Sequence, residues 1–134
     1  MISKRSSVVV VGSGLMGTGI AHAFISNGFP CWLVDMNEAA LEKSVANIHG
    51  ILDGGVKLGK VSADDASAAK QRLMTATSIN ESQKEASLLI ETVSENLAVK
   101  QSVLKTAESV LNEDAIIATN TSALSVTEIA SVLD

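Results

Sequence analysis

The run Val8-Val9-Val10-Val11-Gly12-Ser13-Gly14-Leu15-Met16-Gly17 joins four β-branched residues to a G-x-G-x-x-G string. Four consecutive apolar residues predict a short strand buried on both faces. Gly12 permits a tight turn after it, and Gly14 lets backbone approach a bulky anion with no Cβ in the way. Gly17 lets the next helix pack closely on the strand. A helix opening near Gly14 points unpaired N–H groups and the positive end of its dipole at the same spot, which suits a phosphate. Cys31 to Val34 reads as a second strand, and Asp35 at its end can accept hydrogen bonds from both hydroxyls of a ribose. The string alone is a weak signal. Together, strand, loop, helix and acid predict dinucleotide binding by Gly12, Ser13, Gly14, Leu15, Met16, Gly17 and Asp35. The charge of Asp35 repels a 2′-phosphate, and Met36-Asn37 supply no arginine, so NAD is expected rather than NADP. The alternative is that the glycines serve only a turn and Asp35 caps a helix.

Working outward, the first helix is expected to run from Gly14 to Asn27 and to stop at Gly28. A second helix, capped by Asn37, carries Leu41, Val45, Ile48 and Leu52 on one face, and Gly54, Gly55 and Gly59 break it. Ser62 with Asp65 predicts the cap of a further helix through Met74, followed by a strand at Thr75 to Thr77. Leu88 to Thr92 and Ala115 to Thr119 read as strands. Between them lies a helix from Asn96 to Leu111 with Val99, Val103, Ala107 and Val110 aligned. Ser125-x-x-Glu128 is a capping box for a last helix to Leu133. This alternation predicts an α/β fold, a Rossmann-type doubly wound parallel sheet. Its second crossover, about 40 residues long, exceeds a single helix and implies a helical hairpin, inserted between strands 2 and 3 and projecting from the sheet.

The composition restricts partners. Of 134 residues 46% are hydrophobic, and the aromatics are only Phe24, Phe29 and Trp32, so small aliphatic residues build the core. That leaves no aromatic platform for stacking bases. Net charge is −5, with no basic block beyond Lys4-Arg5, which argues against a nucleic-acid partner. No apolar run approaches the roughly 18 residues of a membrane span. The single Cys31 cannot form an internal disulfide, and a cytoplasmic location is expected.

Three stretches carry a more specific resemblance: GSGLMGTGIA from Gly12 to Ala21, ETVSENLAVK from Glu91 to Lys100, and ATNTSALSVTEIA from Ala118 to Ala130. Together they resemble the NAD-binding domain of the L-3-hydroxyacyl-CoA dehydrogenases, which include the 3-hydroxybutyryl-CoA dehydrogenases. The likeness spans Val8 to Leu133, and the Asn120-Thr121-Ser122 turn is its most discriminating part. It implies hydride transfer between a (3S)-3-hydroxyacyl-CoA and NAD. By the same resemblance Glu95 and Lys100 lie near the nicotinamide half, with Lys100 in reach of substrate, and Ser122 hydrogen-bonds the reacting 3-oxygen. The hairpin contacts coenzyme A, with Lys57 and Lys60 as partners for its phosphates. Ala123 stands where a second Ser is usual, and Thr92 and Ser94 also depart from the family pattern. Plainer readings exist: Ser122 as a turn residue, Glu95 favoured by a helix dipole, Lys100 an exposed helix lysine, Lys57 and Lys60 a solvated loop.

Alcohol oxidation needs a base, usually a His oriented by a carboxylate. The resemblance places that His–Glu pair after a sixth strand, beyond Asp134, together with a helical C-terminal domain through which the family commonly forms homodimers. His22, within the first helix, and His49, on the hairpin, are poor substitutes. The expectation is therefore residues 1–134 as an incomplete NAD-binding domain that binds NAD without turnover. A stand-alone NAD-binding module and a family member acting on a CoA-free hydroxyacid remain alternatives.

Overall fold

A computed structural model describes residues 6–120 and 126–133. Five strands form one parallel sheet: β1 (Val8–Val11), β2 (Cys31–Val34), β3 (Leu73–Ala76), β4 (Leu88–Glu91) and β5 (Ile116–Thr119). Their spatial order is β3-β2-β1-β4-β5. In register, Val8 faces Cys31 on one side and Leu88 on the other, while Val11 faces Val34 and Glu91. The chain thus winds one way from β1 to β3 and the other way through β4 and β5. The switch point falls between β1 and β4, where sheets of this type open a crevice for ligands.

The valine run sets the layering. Val8 and Val10 join a core with Ala21 and Ile25 of helix α1 (Leu15–Ser26), Leu41, Ile48 and Leu52 of α2 (Glu38–Lys57), and Ala66 and Ala69 of α3 (Ala63–Arg72). Val9 and Val11 point to the other face and pack with Leu89, Ala86, and Ala107 of α4 (Leu97–Val110). Each strand residue points opposite to the next, so a strand apolar at every position must be covered on both sides.

Several boundaries differ from expectation. Helix α2 continues through Gly54 and Gly55 to Lys57, and only Gly59, at φ 71°, ends it. Tertiary contact decides this: Leu52 is buried and Val56 packs on the same core, which outweighs two poor helix formers. Helix α3 stops at Arg72 rather than Met74, so β3 begins at Leu73, where pairing with Cys31 captures the chain. The hairpin packs on the sheet's covering helix, α1. Small Ala66 and Ala69 let α3 lie against α1 and α2. On α4 the buried face is Lys100, Leu104 and Ala107, and Val99 is exposed. A single 3-10 turn, Glu81–Gln83, precedes β4. The Asn37 and Ser62 caps are present, accepting from Ala40 N at 3.0 Å and Asp65 N at 3.0 Å. Helix α5 (Val126–Ala130) packs on α4 and buries Ile129, and the Ser125 half of its predicted capping box lies outside the described residues.

No described helix is long and apolar enough to cross a membrane. Burial pushes the Cys31 thiol up to about 12, so it stays protonated and serves as a small core residue.

Candidate functional site

The glycine loop is built from backbone constraints. Gly12 sits at φ 107°, a conformation closed to other residues without strain, and its N–H donates to Val34 O at 2.7 Å. A Cβ on Gly17 would stand 1.8 Å from Gly12 O, so α1 can start here only with glycine. A Cβ on Gly14 would meet nothing within 4 Å. Open space therefore borders the first turn of α1, which has neither a side-chain cap nor an acid. Leu15 and Met16 are both exposed beside it. An anion placed there would meet the amino end of a twelve-residue helix with nothing competing for it.

Asp35 is held in place by the same loop. Its Oδ2 accepts from Ser13 N at 2.9 Å and Ser13 Oγ at 2.8 Å, and its Oδ1 accepts from Asn37 N at 2.8 Å. Partial burial alone would raise its pKa, but the bonds from Asn37 and Ser13 outweigh that and hold the carboxyl below its ordinary value. It is an oriented anion at the end of β2, with lone pairs left for hydroxyl donors. A second pair of hydroxyls steadies the loop from beneath. Thr18 Oγ1 donates to Ser13 O at 3.1 Å and shares a 2.6 Å bond with Ser44 Oγ of α2.

Across the switch point, β4 and β5 carry a different arrangement. Lys100 and Glu91 are both fully buried, their side chains 2.7 Å apart. The Lys100 ammonium also donates to Val93 O at 3.2 Å and Asn120 O at 3.4 Å, and lies 3.6 Å from Glu95. The Glu91 carboxylate further accepts from Val93 N at 2.7 Å and from the Thr119 hydroxyl. Lys100 is thus not the solvent-facing helix lysine of the plainer reading. It forms the floor of this side, and Glu95, its side chain 43% exposed, forms the rim. Such a pair adds little net stability, but removing one partner strands a buried charge at about 3–5 kcal/mol.

Gly12 to Gly17 and Asp35 therefore converge at the β1–β2 side of the carboxyl edge, and Glu95 and Lys100 at the β4–β5 side. Ser122 lies outside the described residues. Lys57 and Lys60 are brought to neither cluster. Helix α2 spans about 30 Å at 1.5 Å per residue, which carries Lys57 to the amino edge of the sheet. There Lys60 borders a groove of about 920 Å³ with His22, Ile51, Leu58 and Arg72. Sequence reading did not single out Glu91, Thr119, Thr18 or Ser44. It noted Thr92 only as a departure, yet the Thr92 hydroxyl reaches Val11 O at 2.9 Å and Gly12 O at 3.2 Å, tying β4 to the glycine loop. An acid ending the apolar run Leu88-Leu89-Ile90 and a lysine in helical register with Leu104 were the available signals for the buried pair. Among the described residues no group of His, Cys, Asp and Glu side chains could hold a metal ion.

A glycine loop, an uncapped helix start and an oriented acid, at the carboxyl edge beside the switch point of a parallel sheet, define a dinucleotide-binding Rossmann domain. The chain matches, over residues 7–134, the family described as 3-hydroxyacyl-CoA dehydrogenase, NAD binding domain, and it belongs to that family. Its cofactor is NAD, which the open glycine loop and the oriented Asp35 fit. It is 37% identical over 124 residues to the fatty acid oxidation complex subunit alpha of Idiomarina loihiensis, covering 92% of this chain and 17% of that protein. It is 35% identical over 131 residues to the 3-hydroxyadipyl-CoA dehydrogenase of Escherichia coli, covering 98% and 27%. The crystal structure of 3-hydroxybutyryl-CoA dehydrogenase from Escherichia coli superposes with a TM-score of 0.90 at 35% identity, over 95% of this chain and 27% of that one. The chain thus spans under a third of the length of these relatives.

Proposed function

We propose that the chain is the cofactor-binding part of an enzyme that interconverts 3-hydroxyacyl-CoA and 3-oxoacyl-CoA. Bound NAD supplies the hydride acceptor. The amino end of α1 and the Gly12–Gly17 loop hold its diphosphate, and Asp35 holds the adenosine ribose. Glu95 and the floor around Lys100 border the nicotinamide half. Ser122 takes the 3-oxygen of the substrate, and Lys57, which lies at the amino edge of the sheet away from both clusters, meets only the distal, phosphate-bearing end of an extended coenzyme A. The location proposed is the cytoplasm, in keeping with a buried, unpaired Cys31.

The observation that carries this reading is Asp35, ionised and aimed by Ser13 and Asn37 beside an open glycine loop. Titrating the 134-residue chain with NADH and NADPH tests it. NADH is expected to bind at least about tenfold more tightly, because a 2′-phosphate would face that carboxylate. Equal binding of the two, or binding of neither, would remove the reading.

Turnover by this chain alone is not expected. His22 borders the groove at the amino edge, and His49 lies on α2, so neither can take a proton at the carboxyl edge. The chain mixed with acetoacetyl-CoA and NADH should leave NADH absorbance constant. A steady decline dependent on the protein would overturn that expectation.

A further inference from the structure

We infer that Glu91 is a positioning residue: with Lys100 it forms a buried clasp that fixes the two lips of the crevice receiving the nicotinamide half of the dinucleotide. The inference rests on the NAD reading above and deepens it. On the adenosine side Ser13 and Asn37 hold Asp35, and β4 reaches the glycine loop through the Thr92 hydroxyl, so neither support runs through the side chains of Glu91 and Lys100. The other side is made of two chain segments leaving adjacent strands. One begins at Val93 and carries Glu95. The other passes through Asn120.

The clasp reaches both segments. Glu91 Oε2 accepts from Val93 N at 2.7 Å and from Lys100 Nζ at 2.7 Å, and Glu91 Oε1 accepts from the Thr119 hydroxyl. Lys100 returns bonds to Val93 O at 3.2 Å and Asn120 O at 3.4 Å. Val93 is thereby held at both its N–H and its carbonyl. An ammonium has three protons to donate, and Glu91, Val93 and Asn120 take all three. The ion pair itself adds little net stability over apolar packing, but its further bonds satisfy the Val93 N–H, the Val93 and Asn120 carbonyls and the Thr119 hydroxyl. What the charged pair adds is direction: a fixed separation between the lip at Val93 and the lip at Asn120. Rigid support of this kind sets how well a bound group is oriented.

The test separates the two halves of the ligand. ADP-ribose reports the glycine loop and Asp35, and NADH adds the nicotinamide side. In wild type, NADH is expected to bind more tightly than ADP-ribose. The double variant Glu91→Gln/Lys100→Met removes the clasp without leaving a lone buried charge. It is expected to weaken NADH about tenfold and to leave ADP-ribose within about twofold. A merely structural role would lower both affinities together or neither, and either result overturns the inference. If that variant does not fold, Thr119→Val decides, since it deletes one bond to Glu91 and keeps the shape. NADH should weaken while ADP-ribose does not, and an unchanged ratio overturns the inference. Wild-type chain that binds neither ligand would instead remove the NAD reading itself, and this inference with it.

Discussion

Gly14 and Gly17 belong to one loop, yet a methyl group on each has opposite consequences. On Gly17 it would drive into the Gly12 carbonyl, 1.8 Å away, which as backbone cannot swing aside, and it would also crowd the Thr92 hydroxyl at 2.8 Å. Gly17→Ala is expected to cost about 3 kcal/mol or more, read as a large fall in melting temperature. On Gly14, where φ is −71°, alanine is conformationally easy and meets nothing. Gly14→Ala should leave the melting temperature nearly unchanged and weaken NADH about tenfold or more, by filling the diphosphate space. Asp35 gives a test by pH. Its carboxyl is held below the ordinary 3.8 in the fold, so its stabilisation is complete above about pH 4 and is lost as pH falls through the lowered value. Melting curves of wild type and Asp35→Asn should therefore differ near neutral pH and converge in acid. This loop was legible in the sequence because backbone geometry restricts Gly12 and Gly17 to one residue type and ligand space selects it at Gly14. Lys100 was named by the resemblance, but its partnership with Glu91 was not read, because it joins a strand end to a helix and shows only once both are buried.

At the scale of elements, the helices are tied to the site by few polar contacts, and Thr18 with Ser44 is the clearest. These two hydroxyls join α1 to α2 in a buried position, and Thr18 also holds the Ser13 carbonyl behind the glycine loop. Ser44→Ala removes a buried partner and should destabilise the chain by about 1 kcal/mol, measured by denaturant melts. Helix α2 was predicted from Leu41, Val45, Ile48 and Leu52. Ser44 takes a buried place in that stripe, and a serine gives no hydrophobic signal. The same limit applies on α4, where of the stripe Val99, Val103, Ala107 and Val110 only Ala107 is buried and Val103 packs on the core, while Lys100 and Leu104 complete the buried face. A lysine counts as polar in any periodicity, so a charge buried by its partner rotates the apparent face. Caps were read correctly because they are local: Asn37 and Ser62 each bond a nearby N–H within their own chain segment. Helix ends set by tertiary contact, as at Gly54-Gly55, and the start of β3 set by pairing with Cys31, had no such local marker.

Across the whole molecule, the two cores share the central strands, β1 with all four of its residues and β2 beside it. Val8 and Val10 belong to the face covered by α1, α2 and α3, and Val9 and Val11 to the face covered by α4. The two faces cannot separate without exposing a strand buried on both sides, so unfolding should be a single transition. The proposed ligand lies across the same centre. Its adenosine half meets the ends of β1 and β2, and its nicotinamide half meets the ends of β4 and β5. Binding then stabilises the molecule as one unit, by an amount fixed by mass action rather than by local contact. At a free concentration of about one hundred times its dissociation constant, NADH should add about 2.7 kcal/mol. For a chain of this length that raises the melting temperature by about 10 °C. NADPH at the same concentration, bound about tenfold more weakly, should give roughly half that shift. Scanning calorimetry with each nucleotide checks both magnitudes. A rise confined to part of a split transition would show that the two faces unfold independently, and that the central strands do not couple them.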